Sequence, residues 1–211
     1  MLDTAAELLR TTDAESFSVR KLGAALGTDS SSLYRHFRNK TELMRAVADR
    51  ILLAAMNDYR PEGDWKQRVT ALALRLREAF GEQLQLAAAW GRYGSGGGGS
   101  RLVMEELLQA LRASGLPDEE VPARYHRIVI LIAALITSEA GIGTLTPKEY
   151  EQGMEQFRVA VLGADPERFP ALSYFARDIP PLGADRHAAF EEILTAHLDR
   201  IEAELPETCT P

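Results

Sequence analysis

The sequence predicts an all-α protein with a compact three-helix head and a larger helical body. Three observations carry this expectation. Apolar residues recur at helical spacing through most of the chain, and alternating strand-like runs are scarce. The stretch 17–45 also combines helix-turn-helix spacing with local positive charge inside an acidic chain.

The elements follow in order. Leu2, Ala5, Ala6, Leu8 and Leu9 share one face of a first helix that ends near "TTDAES". Ser18 is placed to cap a short second helix, whose expected buried side holds Leu22, Ala25 and Leu26. Gly27, free to take a positive φ, closes it. A third helix is expected over Ser30 to Phe37, then a break at "RNK", then a longer helix from Thr41 to Tyr59. "RPEGD" at 60–64 stops that helix, because proline cannot continue the hydrogen-bond ladder.

Beyond Trp65, helical patterns cover 65–80, 82–92, 101–114, 118–143, 147–162 and 185–205, with a short helix near 167–177 among proline-rich turns. "GSGGGGS" at 94–100 reads as a flexible linker between body helices, as consistent with a native low-complexity loop as with an engineered insertion. The expected division is a head at 1–45, a body at 46–205 and a tail at 206–211.

Composition narrows the function classes. The chain of 211 residues carries a net charge of −7, which argues against a protein that coats nucleic acid over its whole surface. Its single cysteine, Cys209, excludes a disulfide framework and a cysteine-rich metal site. No basic segment followed by an apolar run opens the chain, so a cytoplasmic protein is expected. The most apolar window, "IVILIAALI" at 128–136, is well short of the roughly 20 residues that span a bilayer, so no membrane partner is expected. Being apolar nearly all round, it should lie in a core or between two subunits. There is no G-x-S-x-G, P-loop, H-E-x-x-H or strand-borne G-x-G-x-x-G, and the expectation is of a protein that is not an enzyme. His36, His126, His187 and His197 show no ligand spacing, so neither metal nor cofactor is expected.

The head carries the functional signal. Between 17 and 45 stand Arg20, Lys21, Arg35, Arg38, Lys40 and Arg45 against Asp29 and Glu42, a local balance of +4. On a helical wheel for 30–38, Leu33 and Phe37 form the apolar back while Ser31, Tyr34, Arg35 and Arg38 project from the front. Serines at the start of such a helix allow close approach to base edges, and Tyr34, His36 and Lys40 can bind phosphates. Asp29 suits a helix cap rather than a phosphate neighbour.

The segment "FSVRKLGAALGTDSSSLYRHFRNKTELMRAVADRIL" at 17–52 closely resembles the DNA-binding head of the TetR family of bacterial transcription regulators. The matching core is L-G-x-x-x-x-x-L-Y-x-H-F-x-N-K-x-x-L from Leu26 to Leu43, and it is most similar to the tetracycline-repressor branch. The resemblance implies that Arg20, Ser30, Ser31, Ser32 and Tyr34 face bases or the adjoining backbone. It implies that Lys21, His36 and Lys40 anchor phosphates. Ser31 and Ser32 depart from the glycine or proline, and the threonine, that relatives often carry there. Many relatives place a basic arm before the first helix, whereas this sequence opens almost directly on "MLDTAAELL", so either affinity rests on the head alone or the natural start lies upstream.

For the body, the resemblance implies a homodimer that reads a pseudo-palindromic operator and a cavity for a small molecule that releases it. The last helix places Phe190, Ile193, Leu194, His197, Leu198 and Ile201 along one stripe, suited to its own core or to a partner. Candidate cavity residues are polar-tipped or bulky side chains in apolar helices: Trp90, Tyr93, Met104, His126, Thr137, Glu139 and Phe157. Each also has an ordinary structural role, His126 as a satisfied histidine and Met104 as core filler. The alternatives are a helical protein-interaction module whose head no longer binds DNA, and a ligand-independent regulator or activator.

Overall fold

The computed structural model describes residues 1–11, 18–27, 35–87, 96–181 and 183–205, and among them every regular element is helical. Helix α1 (Leu2–Thr11) seats Ala5 and Leu9, four residues apart, fully in the core. Helix α2 (Val19–Ala25) starts where Ser18 accepts the amide of Lys21 at 3.2 Å, and ends at Gly27 with φ 61°. Its buried side is Val19, Leu22 and Gly23, so the expected stripe is rotated. Ala25 faces solvent and Leu26 is half-buried.

The expected third helix falls largely at 28–34, outside the described residues. The described part of its expected span is not helical: Arg35 and His36 lie in a turn, and Phe37 is buried outside any helix. The next cap explains this. Asn39 is fully extended (φ −159°, ψ 171°) and accepts the amide of Glu42 at 2.9 Å, while Glu42 accepts the amide of Arg38 at 2.7 Å. An extended N-cap residue cannot lie within a helix, so the backbone just before α3 is non-helical.

Helix α3 (Lys40–Asn57) runs unbroken from head to body. Leu43 and Val47 lie in the core with α1, while Leu52 and Ala55 lie in the body. Helix α4 (Trp65–Gly81) opens on a capping box in which Asp64 and Gln67 exchange amide bonds at 2.9 Å. It buries Val69, Leu72, Leu76 and Phe80. Residues 84–87 form a further helical turn.

Helix α5 (Gly98–Ala113) corrects the linker reading, because the glycine run ends as the first turn of a helix. Gly99 is buried against α3, where an added Cβ would stand 2.4 Å from both the Asp49 carbonyl oxygen and the Leu53 amide nitrogen. Only glycine lets the two backbones approach so closely. The Asp49 carboxylate then caps α5 from the neighbouring helix, taking the amide of Ser100 at 2.9 Å, its hydroxyl at 3.1 Å and the amide of Gly99 at 3.3 Å. The α3–α5 contact is the most extensive among the described helices.

Helix α6 (Val121–Gly143) is 23 residues long, so by length and apolar composition alone it could cross a bilayer, unlike the short window seen in the sequence. It packs instead on α4, α5 and the last helix. Ile128, Ile132 and Ile136 point inward, but Ile130 is 55% exposed, so the helix is not buried on every side in one protomer. Helix α7 (Pro147–Leu162) has a Thr146–Glu149 capping box and buries only Val161. Helix α8 (Pro170–Phe175) packs on α7. Helix α9 (Arg186–Ala203) returns to α4 and α6 through Phe190, Leu194, Leu198 and Ile201.

Candidate functional site

The head presents its basic groups outward for local reasons. With Val19, Leu22 and Gly23 turned inward, Arg20 and Lys21 are left on the solvent side of α2. Arg35, His36 and Arg38 are exposed in the turn before α3, and Lys40 is half-exposed in that helix's first turn. The positive end of the α3 macrodipole lies at the same place, which favours phosphate there. Arg20, Lys21, His36 and Lys40 therefore all reach the surface. Ser30, Ser31, Ser32 and Tyr34 lie outside the described residues.

The body holds a cavity of about 590 Å³ between α4, α6 and the start of α9. Phe80, Leu84, Ala87, Ile136 and Ala140 form its apolar wall. Its polar end is built on Arg77, which bonds Glu139 through two nitrogens at 2.7 and 2.8 Å. The same guanidinium lies 5.1 Å from the centre of the Phe190 ring and touches His187 Nδ1. His187 Nε2 in turn meets Glu191 at 3.2 Å. Arg186 donates to the Glu139 carbonyl oxygen at 3.2 Å and has no ion pair among the described residues. Beside it Asp185 holds a left-handed conformation, φ 42° and ψ 47°, the only non-glycine among the described residues with positive φ.

Of the cavity candidates read from sequence, Glu139 lines this space. Thr137 is half-buried and donates to the Ala87 carbonyl oxygen at 3.3 Å. Met104 on α5 and His126 on α6 are exposed, and Phe157 is half-buried on α7; none of the three lines the cavity. Trp90 and Tyr93 lie outside the described residues. Sequence reasoning missed Arg77, Arg186 and His187, because charged residues on amphipathic helices normally belong to a solvated face. The usable signal was Arg77, one turn before Phe80 on a helix that otherwise faces the core.

A second surface lies on α6 and α9. Ile130 and Ala134 on α6 and Ile193 and Ala196 on α9 are exposed. Near them His197 buries its Nε2 with no hydrogen-bond partner among the described residues. Burial pushes its pKa down, and Arg127, Arg124 and Arg200 push it further in the same direction.

Comparison with known proteins matches this geometry. The model for bacterial regulatory proteins of the tetR family matches residues 1–47, and the tetracyclin repressor-like C-terminal domain matches residues 59–205. A structural-genomics crystal structure from Streptomyces coelicolor A3(2), described as a transcriptional-regulator candidate, is 74% identical, covers 97% of this chain and 96% of that one, and has a TM-score of 0.84. The Streptomyces coelicolor TetR family protein ActR in complex with actinorhodin is 25% identical, with 98% and 96% coverage and a TM-score of 0.82. An HTH-type transcriptional repressor of Mycobacterium tuberculosis is 24% identical over 94% of this chain and 77% of its own length. The class C tetracycline repressor of Escherichia coli is 32% identical over 82 residues, 38% of this chain and 37% of that protein. Fold and head together define a helix-turn-helix transcriptional regulator. The chain belongs to the tetR family.

Proposed function

We propose that the protein is a dimeric repressor that holds a pseudo-palindromic operator through its two heads and releases it when a small molecule enters the body. The observation that carries this is the outward basic set of the head, Arg20, Lys21, His36 and Lys40, in a chain of net charge −7. The acidic remainder repels DNA and confines contact to the head. Arg20, with Ser30, Ser31, Ser32 and Tyr34, reads bases or the adjoining backbone, and Lys21, His36 and Lys40 grip phosphates. The relative named as a repressor and the actinorhodin complex of ActR support repression and ligand control.

Fluorescence anisotropy with operator DNA, titrated across salt, tests the head. Lys40→Ala should weaken every DNA sequence about tenfold or more and lower the salt slope by about one per head. Arg20→Ala should instead erode discrimination between operator and random DNA. Unchanged affinity and slope in Lys40→Ala would reject the phosphate role.

Dimerisation through α6 and α9 is supported by the stranded apolar groups Ile130, Ala134, Ile193 and Ala196, and by the partnerless nitrogen of His197. A second copy meeting these helices across a two-fold axis covers all of them at once. It also places two heads for successive major grooves. Ile130→Glu should shift the protein to monomer in light scattering at micromolar concentration and remove specific operator binding. A variant that stays dimeric would move the interface elsewhere.

A further inference from the structure

We infer that the cavity between α4, α6 and α9 takes an amphipathic organic acid, an apolar ring system bearing one carboxylate or sulfonate, with its anionic group on Arg186. This names the ligand class for the release mechanism proposed above and rests on that reading only for its effect on DNA, not for binding itself.

Of the guanidinium groups that line the cavity, Arg186 is the one without an ion pair among the described residues. Arg77 and Glu139 neutralise each other through two short bonds, and His187 is occupied by Arg77 on one side and Glu191 on the other. Arg186 meets only a backbone carbonyl oxygen, and the carboxylate of Asp185 beside it forms no ion pair with it. A guanidinium presents five donors in a planar fork, and one carbonyl satisfies a single one. Its natural complement is a planar acid bound in two-pronged fashion. The opposite wall, built from Phe80, Leu84, Ile136 and Ala140, has no charge to offer and accepts an apolar body. The volume of about 590 Å³ falls in the range of sites for drug-sized ligands.

A neutral apolar ligand would cover the half-buried Arg186 without offering its remaining donors a partner. The ligand's body and its acid group touch α6 and α9 at once, which are the two helices of the proposed dimer face. Binding can therefore be felt at the spacing of the heads.

The test uses the full-length protein and 8-anilinonaphthalene-1-sulfonate, followed by fluorescence and by calorimetry for stoichiometry. One saturable site per protomer is expected. Arg186→Gln should weaken it about tenfold or more, and Arg186→Lys should recover part of the loss. The uncharged N-phenyl-1-naphthylamine should bind weakly and equally to wild type and Arg186→Gln. Equal sulfonate affinity in Arg186→Gln, or tighter binding of the uncharged amine, would overturn the inference. Ile136→Trp, which fills the apolar wall without touching the charge, should also block the probe; retained binding there would place the probe elsewhere and count against the cavity. Operator anisotropy with bound probe is read separately. Probe bound through Arg186 with DNA retained leaves the ligand class standing and rejects release through this site.

Discussion

Replacing Glu106 with alanine should cost about 3 kcal/mol of unfolding free energy, the lower end expected for breaking a buried ion pair. Glu106 on α5 accepts from Arg68 Nε on α4 at 2.9 Å, and the two side chains are only 9% and 17% exposed. The hydrogen bond that Arg68 donates to Glu106 is the main reason the Arg68 pKa is raised, ahead of the opposing cost of burial. Tyr59 ties the same place down by donating to the Arg68 carbonyl oxygen at 3.1 Å. Alanine leaves a guanidinium facing a low-dielectric pocket with little water to replace its partner. For a chain of this size such a loss lowers the midpoint by roughly 6–12 °C. Thermal unfolding at matched protein concentration reads it directly, since the stability of the proposed dimer would depend on concentration. The double variant Arg68→Met with Glu106→Leu should regain most of the loss, because it removes both charges together. A single variant that melts within about 1 °C of wild type would show that the pair is solvated and dispensable.

Gly99→Val should produce the second large effect, and it should reach further than stability. The new Cβ would press on backbone atoms of Asp49 and Leu53 at 2.4 Å, and backbone cannot swing aside as a side-chain tip can. Helices α3 and α5 must separate, at a cost of about 2–3 kcal/mol. Separation also draws Ser100 away from Asp49, so the cap on α5 weakens with it. The expected result is a lowered midpoint together with reduced operator affinity, although residue 99 lies far along the chain from the head. Asp49→Asn, which keeps an acceptor but removes the charge, should show a milder form of both. If Gly99→Val changed stability alone and left operator affinity at the wild-type value, α3 would not link body to head.

Much of the molecule was legible because it rests on local rules. The helix at 147–162 was read to the residue, since Thr146, Pro147 and Glu149 are start signals that act within one turn. Ser18 and Gly27 bounded α2 in the same way. The head's basic set was readable because its charge and spacing are local in sequence. What depended on distant parts of the chain was not legible. The glycine run looked like a linker because its partner, Asp49, stands about fifty residues earlier. The cavity's polar end joins Arg77, Glu139, Arg186 and His187 across 110 positions, and no periodicity announces such a meeting. Helix α6 could be seen to be apolar, but only the fold shows Ile132 turned inward and Ile130 outward.

Helix α3 can also be considered as a mechanical part. It is one rod of 18 residues, clamped near its midpoint by the Asp49 cap and the glycine contact, with Lys40 at its N-terminal end. From the clamp to Lys40 is nine residues, about 13 Å of helix. A tilt of about 10° at the clamp would carry that end by about 2 Å, several times the roughly 0.5 Å window of hydrogen-bond lengths. Under the phosphate role proposed for Lys40, the body would act on a short lever that pivots at the Asp49–Ser100 cap and the Gly99 contact, and small rearrangements beside α5 would change the grip on a DNA backbone.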